Sequence, residues 1–269
     1  MDFLKAIILA IVEGLTEFLP VSSTAHMIFT SSYFGIQSDE FVKMFQVSIQ
    51  FGAILAVVVL YWKKFLSVNA WTFYLKLAIA VVPALILGKL FDDKIEAVLE
   101  KPIPIAIVLI IGGIILLFID KLFERQVIEE EKEITIKKGL IIGFWQCLAM
   151  MPGTSRAAAS IIGGMQQGLT RKLAAEFSFF LAVPTMLAVT AYSIFLKDWN
   201  YLGKEQKGFE MIFQGDNLML FIVGNLVAFV VAIIAIKFFI EILKKFGFKI
   251  WGWYRIVLGL AFLIYFSLF

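Results

Sequence analysis

Long apolar segments alternate with short charged segments along this chain. A helix needs about 20 residues to cross the hydrocarbon core of a bilayer. Lys76 lies inside one of the apolar segments, where its long side chain can extend toward the membrane surface. Six segments are long enough, and we predict a transmembrane helix in each of them: 44–62, 70–88, 103–119, 177–196, 217–236 and 250–269.

Two further apolar regions, 3–36 and 139–168, are interrupted by polar residues and by proline. The first contains Pro20 and the second contains Pro152. The pieces on either side of each interruption are too short to span a bilayer. We therefore predict that each region is a re-entrant helical hairpin, which enters and leaves the membrane on one face.

The order of these elements repeats once, because each interrupted region is followed by three spans. The segment LPVSST at 19–24 also aligns with MPGTSR at 151–156, with proline on proline. Three spans carry the chain to the opposite face, so the two halves should be inverted. The breaks at 13–26 and 152–160 should then meet near the middle of the membrane.

These patterns predict an all-α polytopic integral membrane protein with six transmembrane helices and two re-entrant helical hairpins in two inverted repeats. The chain, 1–269, is then a single membrane domain. Its halves cover about 1–120 and 137–269, and a charged cytoplasmic loop at about 120–138 joins them. Lys and Arg are more numerous on the face that holds this loop, so both termini should lie outside.

Composition supports a membrane protein. Hydrophobic residues make up 61% of the chain and the mean hydropathy is +0.92, which excludes a soluble globular domain. The single cysteine, Cys147, excludes an intramolecular disulfide. A net charge of +3 gives no reason to expect nucleic acid as a partner. The first apolar stretch lacks a basic start and a cleavage motif, so we expect it to belong to the mature fold.

Two carboxylates interrupt the first apolar region. Glu13 and Glu17 are four residues apart, so on a helix their side chains project from one face. Together they can bind a cation or one group of a substrate. The alternative is a pair of solvated carboxylates at the membrane interface. Their position within the break favours a functional role, because charge inside an apolar segment is costly.

Three hydroxyl residues follow Pro20. Ser22, Ser23 and Thr24 would lie at the start of a new helix, whose first turn has free backbone N–H groups. Such a helix start can bind an anion, although the hydroxyls can also serve only as caps. His26 is one helical turn later, which should place its imidazole beside the hydroxyls. A lone histidine is often structural, but its place in the break favours function.

The second break repeats this design. Gly153, Thr154 and Ser155 follow Pro152 and precede Arg156. The planar guanidinium of Arg156 suits two-point hydrogen bonding to phosphate oxygens. The alternative is that it only neutralises one of the two glutamates. Carboxylates repel phosphate, so the whole set favours phosphoryl chemistry in which a divalent cation, Mg²⁺ or Ca²⁺, bridges them to the ligand or a carboxylate acts as acid or base.

The motifs VEGLTEFLPVSSTAH at 12–26 and PGTSR at 152–156 closely resemble those of the bacterial undecaprenyl-diphosphatase family, also called the bacitracin-resistance protein. The resemblance continues through VSIQFGAILAVVV at 47–59 and AAEFSFFLAVP at 174–184, and it covers nearly the entire chain. It implies hydrolysis of undecaprenyl diphosphate to undecaprenyl phosphate and inorganic phosphate. That reaction recycles the lipid carrier for cell-wall synthesis and confers bacitracin tolerance.

The resemblance also assigns roles to residues. The family's acidic motif falls on Glu13 and Glu17, its active-site serine, threonine and histidine on Ser23, Thr24 and His26, and its essential arginine on Arg156. We expect Glu17, Ser23, His26 and Arg156 to be catalytic and Glu13 and Glu17 to bind the metal. We also expect substrate binding by the residues of the two helix starts together with Arg156: Ser22, Thr24, Gly153, Thr154 and Ser155. The nucleophile stays open among Ser23, His26 and water, and the group that transfers the proton stays open between His26 and Glu17.

This chain departs from the family pattern at three positions. Ala157 replaces the usual serine of the second motif, Ser160 replaces its threonine, and Ala25 replaces the glycine before the histidine. No hydroxyl can therefore act directly after Arg156, but Ser160 retains one. We expect activity to survive these changes.

The resemblance implies a location in the bacterial cytoplasmic (inner) membrane, with the active site open to the outer face. The expected partners are the polyprenyl diphosphate substrate and membrane lipid, and a homodimer is compatible with the sequence. A secondary transporter or a flippase of a polyprenyl phosphate is the alternative function, because inverted repeats with broken helices are typical of transporters. A structural membrane protein without a site leaves Arg156 and the paired glutamates unexplained.

Overall fold

The computed structural model describes residues 1–66, 70–99, 101–123 and 127–268. The predicted loop at 120–138 and the predicted span at 250–269 each extend partly outside this set. Within it the chain is mainly helical, and one short antiparallel hairpin is present.

The helices, in chain order, are α1 (Phe3–Thr16), α2 (Ser23–Tyr33), α3 (Glu40–Ser48), α4 (Gln50–Leu60), α5 (Trp62–Phe65), α6 (Ala70–Leu99), α7 (Pro102–Leu122), α8 (Ile136–Cys147), α9 (Arg156–Gln166), α10 (Arg171–Ala191), α11 (Gly208–Ile212), α12 (Asn217–Phe246) and α13 (Lys249–Leu268). Short 3₁₀ turns occupy Glu131–Glu133 and Leu148–Met150, and a π-helical turn, Tyr192–Leu196, extends α10. Strands β1 (Asp198–Tyr201) and β2 (Lys204–Lys207) pair with each other.

Among the described residues, six helical segments are long and apolar enough to cross a membrane: Glu40–Leu60, Trp71–Phe91, Pro102–Leu122, Arg171–Leu196, Asn217–Phe246 and Lys249–Leu268. Each of them overlaps one predicted span, so the prediction of a mainly helical, polytopic membrane protein is confirmed.

The β1–β2 hairpin between α10 and α12 was not predicted. Its turn has positive φ at Leu202 (53°) and at Gly203 (75°), which matches the twist of two-residue hairpin turns. Asp198 and Lys207 face each other at its open end and form an ion pair of 2.7 Å. The strict all-α prediction therefore misses one small element.

Both interrupted regions form a helix, a break and a second helix. In the first region α1 has 14 residues and α2 has 11, and in the second α8 has 12 and α9 has 11. At a rise of 1.5 Å per residue these helices are about 16–21 Å long, short of the roughly 30 Å of a hydrocarbon core. None of the four is long enough to cross a bilayer alone.

The helices pack in corresponding pairs. Helix α1 packs on α12 as α8 packs on α6, and α4 contacts α12 as α6 contacts α10. Helices α7 and α13 pack on each other, and a Cβ added to Gly113 would lie 2.8 Å from the carbonyl oxygen of Gly252. Small residues at such contacts let membrane helices approach closely.

One apolar core joins the two parts of the chain. Phe18, which follows Glu17, packs edge-on against Phe179 of α10 with 5.4 Å between ring centroids. Phe179 in turn contacts Phe239 of α12 at 6.0 Å. All three rings are fully buried. The first break is thereby anchored against helices from the second half of the chain.

Candidate active site

The two breaks lie against each other. Ser155, at the start of α9, donates a long hydrogen bond of 3.5 Å from its hydroxyl to the carbonyl of Leu19 in the first break. The next residue, Arg156, reaches Glu17 at the end of α1. The prediction that the breaks at 13–26 and 152–160 meet is confirmed by these contacts.

An ion pair connects the breaks at their centre. The Nη2 atom of Arg156 donates to Oε1 of Glu17 at 3.0 Å. Arg156 is 9% exposed and Glu17 is 5% exposed. A buried charge is tolerated when it is paired and hydrogen-bonded. Arg156 therefore neutralises one of the two glutamates, as the alternative reading of this residue proposed. The same contact brings its guanidinium to the centre of the site.

The second oxygen of Glu17 accepts a hydrogen bond from Ser23. The Ser23 hydroxyl lies 2.6 Å from Oε2 of Glu17, and Ser23 is the first residue of α2. A hydroxyl that donates to a carboxylate in this way has the arrangement of a nucleophile and its base. The site therefore contains the chemistry needed to activate a serine.

The other terminal nitrogen of Arg156 is held by α10. Its Nη1 atom donates to the backbone carbonyl of Ser178 on α10 at 2.9 Å and contacts the Ser178 hydroxyl at 3.3 Å. The Ser178 hydroxyl lies 2.7 Å from the Ser160 hydroxyl. The Ser160 hydroxyl donates to the backbone carbonyl of Arg156. The guanidinium also lies 5.8 Å from the centroid of the Phe18 ring. Ser178 was not predicted, because its only signal in the sequence is a hydroxyl within an apolar run.

The helix starts α2 and α9 have the same unusual caps. Ser22 and Ser155 precede them with φ of 69° and 74°, and their hydroxyls accept from the N–H groups of Ala25 (3.4 Å) and Ala158 (3.2 Å). Non-glycine residues with positive φ are strained, and such strain is frequent at functional sites. The hydroxyls of both serines therefore serve as caps. Their predicted contact with substrate stays a prediction.

The alignment of the two breaks is wrong by one residue at these caps. Proline-on-proline alignment pairs Ser22 with Thr154, whereas the structure makes Ser22 equivalent to Ser155. The second break has one more residue between its proline and its cap. Gly153 accommodates that residue with φ of +95°, and a Cβ there would lie 2.5 Å from the carbonyl oxygen of Ile105.

In the described residues His26 makes no hydrogen bond to the hydroxyls that were expected beside it. Its Nδ1 atom lies 2.7 Å from the carbonyl oxygen of Ser22, and its Nε2 atom lies 2.8 Å from the hydroxyl of Tyr254 on α13. The two rings are nearly parallel. Because a carbonyl can only accept, Nδ1 is the donor and Nε2 accepts from Tyr254. The expectation fails because the Ser22 backbone carbonyl and the Tyr254 hydroxyl occupy both ring nitrogens.

Two predicted substrate ligands, Thr24 and Thr154, are half-buried beside the helix starts. Thr24 belongs to the first turn of α2. The carbonyls of Thr154 and Gly153 accept hydrogen bonds of 2.9 and 2.8 Å from Arg255 on α13, which the sequence analysis also missed. These residues therefore line the junction between the two breaks.

Glu13 lies one helical turn before Glu17 and is 1% exposed. Its Oε1 atom has no hydrogen-bond partner in the described residues. Nor do these residues contain a cluster of three or more His, Cys, Asp and Glu side chains arranged to hold a metal ion. Two carboxylates alone suit a hard cation that takes its remaining ligands from substrate phosphates and water, as Mg²⁺ does.

Six apolar spans and a buried polar site between two broken helices define a polytopic membrane protein that can hold an anion at paired helix starts. Residues 6–261 match the family model described as bacitracin resistance protein BacA. The chain belongs to this family, and it is a multi-pass protein of the bacterial inner membrane.

Several curated relatives match over nearly their whole length. A protein of Flavobacterium psychrophilum is 53% identical over 264 residues, which cover 98% of this chain and 96% of that protein. A protein of Bdellovibrio bacteriovorus is 49% identical with the same coverage, and one of Enterococcus faecalis is 40% identical over 98% of this chain and 97% of its own length. All three are named undecaprenyl-diphosphatase. The resemblance seen in the motifs is confirmed.

The ion pair predicts a characteristic pattern of stability. Arg156→Met leaves the Glu17 carboxylate buried without its partner, so we expect a loss of about 3–5 kcal/mol in the free energy of unfolding. Adding Glu17→Leu to that variant should restore much of the loss. The measurement is thermal unfolding of purified protein in detergent. Lys244→Met is the matched control, because Lys244 pairs with Glu241 at the exposed surface. If the double variant were less stable than Arg156→Met, an unpaired Glu17 carboxylate would not be the cause of the loss.

Proposed function

We propose that this protein hydrolyses undecaprenyl diphosphate to undecaprenyl phosphate and inorganic phosphate. The reaction recycles the lipid carrier of peptidoglycan synthesis and provides resistance to bacitracin. Family membership and the names of the relatives support this function. The observation in the structure that carries it is the buried Glu17 carboxylate, which contacts both the Arg156 guanidinium and the Ser23 hydroxyl.

The substrate anion is held by positive groups from both breaks. Arg156 offers its charge, and its Nε–H has no hydrogen-bond partner in the described part of the chain. The first turns of α2 and α9 add backbone N–H groups, and helix starts favour bound anions. The prenyl tail can remain in the surrounding lipid, because the site lies within a membrane protein. Transfer of a phosphoryl group depends mainly on such positioning and charge neutralisation.

Ser23 is the proposed nucleophile and Glu17 the proposed base. The Ser23 oxygen attacks the terminal phosphorus, the bond from this phosphorus to the bridging oxygen breaks, and undecaprenyl phosphate leaves. The hydroxyl proton passes to Glu17. Water then attacks the phosphoserine and the serine–phosphorus bond breaks. Glu17 returns its proton to the Ser23 oxygen, and inorganic phosphate leaves with the water's oxygen and one of its protons, while the second proton passes to solvent. Glu17 is preferred over His26 as the base because its oxygen lies 2.6 Å from the Ser23 hydroxyl.

His26 then has an orienting role at the start of α2. Its hydrogen bond to the Ser22 carbonyl fixes the residue before Ser23, and the Tyr254 hydroxyl fixes the imidazole. The sequence left His26 open as the nucleophile or as the group that transfers the proton, and this proposal requires neither role of it.

Glu13 and Glu17 are the proposed ligands of a divalent cation, Mg²⁺ or Ca²⁺. The unpartnered oxygen of Glu13 is the atom that fits such an ion. When bound, the cation would neutralise the charge of the phosphate oxygens. Without it, two buried carboxylates would repel the substrate.

We further propose that the two helix–break–helix regions are re-entrant hairpins of two inverted repeats within one membrane domain. The corresponding packing of α1 on α12 and of α8 on α6 supports this topology. In it, both termini lie outside, the loop at 120–138 is cytoplasmic, and the site opens to the outer face. A homodimer stays a prediction.

Phosphate release separates an enzyme from a transporter or flippase. Purified protein in detergent should release phosphate from a polyprenyl diphosphate. Arg156→Lys keeps the charge but loses the fork that reaches both Glu17 and Ser178, so we expect the rate to fall about 10²–10³-fold. Glu241→Gln, at an exposed carboxylate, should keep the rate. A wild-type protein that releases no phosphate, yet moves a polyprenyl phosphate between leaflets, would favour the alternative.

A covalent intermediate identifies the nucleophile. With substrate labelled in the terminal phosphate, an acid quench during turnover should trap labelled phosphoserine at Ser23. Ser23→Ala should carry no label and should lose about 10³-fold or more in rate, because the attacking oxygen is absent. Ser48→Ala removes another buried hydroxyl, which donates to Met44, and should behave like the wild type. Ser23→Ala with a rate within tenfold of the wild type would show that water attacks directly.

Removal of metal tests the role of Glu13. A chelator should abolish phosphate release, and added Mg²⁺ or Ca²⁺ should restore it. Glu13→Gln removes one carboxylate charge, so about tenfold more metal should be needed for half-maximal rate. The control is Glu241→Gln at the protein surface. An unchanged rate in the presence of the chelator would contradict the metal assignment.

A further inference from the structure

Arg255 on α13 is a buried cation that the proposed reaction does not use. It is 0% exposed. Among the described residues its guanidinium contacts no carboxylate and instead donates to four backbone carbonyls. Nε donates to Leu109 (3.2 Å), Nη1 to Pro20 (3.1 Å) and Thr154 (2.9 Å), and Nη2 to Gly153 (2.8 Å).

Three of these carbonyls belong to the two breaks. Pro20 lies just before the cap of α2, and Gly153 and Thr154 lie just before the cap of α9. A break leaves carbonyls without helical partners as well as free N–H groups. Near an anion the N–H groups attract and the carbonyl oxygens repel. The direction of these carbonyls therefore affects what the two helix starts can bind.

The fold makes room for this arginine at one glycine. A Cβ added to Gly112 on α7 would overlap the Nη2 atom of Arg255. The fixed fork of an arginine carries five N–H donors, so one side chain can reach carbonyls of α7 and of both breaks together. Lysine has three donors on one atom and cannot reproduce that span.

We propose that Arg255 is a positioning residue for the diphosphate site. It draws the carbonyls of both breaks toward α13, so that the N–H groups of α2 and α9 face one common anion. Its charge has no carboxylate partner in the described residues, so a bound diphosphate would compensate it. The inference deepens the proposed function and depends on it for the identity of the substrate.

Binding of inorganic pyrophosphate tests this role separately from turnover. The probe is titrated into detergent-purified protein, and its dissociation constant is measured by calorimetry on the folded fraction. Arg255→Lys should weaken pyrophosphate binding at least tenfold. It should also lower kcat/KM for the polyprenyl diphosphate about 100-fold, the effect expected of displaced binding groups.

Two glycine variants separate positioning from helix packing. Gly112→Ala places a methyl group against the Arg255 guanidinium and should weaken pyrophosphate binding in the same direction, by a smaller factor. Gly259→Ala strains the same α7–α13 contact against Ile110 and Ala106 without touching Arg255. Gly259→Ala should leave the dissociation constant for pyrophosphate within twofold of the wild-type value, even if its melting temperature falls.

Two results would overturn the positioning role of Arg255. One is an Arg255→Lys variant that binds pyrophosphate as tightly as the wild type, and the other is a wild type that binds no pyrophosphate. If Arg255→Lys does not fold, Gly112→Ala decides, and equal losses in Gly112→Ala and Gly259→Ala would overturn it. A wild type that binds pyrophosphate but releases no phosphate from the lipid would refute the proposed function. The role of Arg255 would then be judged on pyrophosphate binding alone.

Discussion

The ion pair between Glu17 and Arg156 is the interaction on which the rest of this structure depends. The two residues lie in different breaks, and each is more than nine-tenths buried. Either charge alone would be strongly destabilising in such surroundings. The fold is therefore constrained to bring the breaks together, and Ser23 and Ser178 add further hydrogen bonds to the pair. The requirement that stabilises the junction also places a serine, a carboxylate and a guanidinium side by side.

Irregular backbone is tolerated inside a membrane protein only where its polar groups are satisfied or line a cavity. This structure satisfies them by separating donors from acceptors. The Ser22 and Ser155 hydroxyls cap the two helix starts, and Arg255 donates hydrogen bonds to backbone carbonyls of both breaks. The proposed anion site would use the N–H groups of the first turns of α2 and α9, because helix starts favour bound anions.

Hydropathy and proline placement predicted the six spans and both breaks, because these depend on local composition. Pairing of the breaks followed from the repeated order of elements. Ser178, Tyr254 and Arg255 were not predicted, since each acts through contacts with residues distant in sequence. The predicted partners of His26 were wrong because its ring binds a backbone carbonyl. No sequence pattern indicates that carbonyl. One extra residue before Ser155 shifted the alignment of the two caps.

A structure with a non-hydrolysable methylene diphosphonate analogue of the lipid would show whether both breaks bind the diphosphate. We expect phosphonate oxygens about 3 Å from the Arg156 guanidinium and from backbone N–H groups at the starts of both α2 and α9, with the terminal phosphorus next to the Ser23 oxygen. An analogue bound elsewhere in the membrane domain, with no phosphorus near an intact Glu17–Arg156 ion pair, would contradict this prediction.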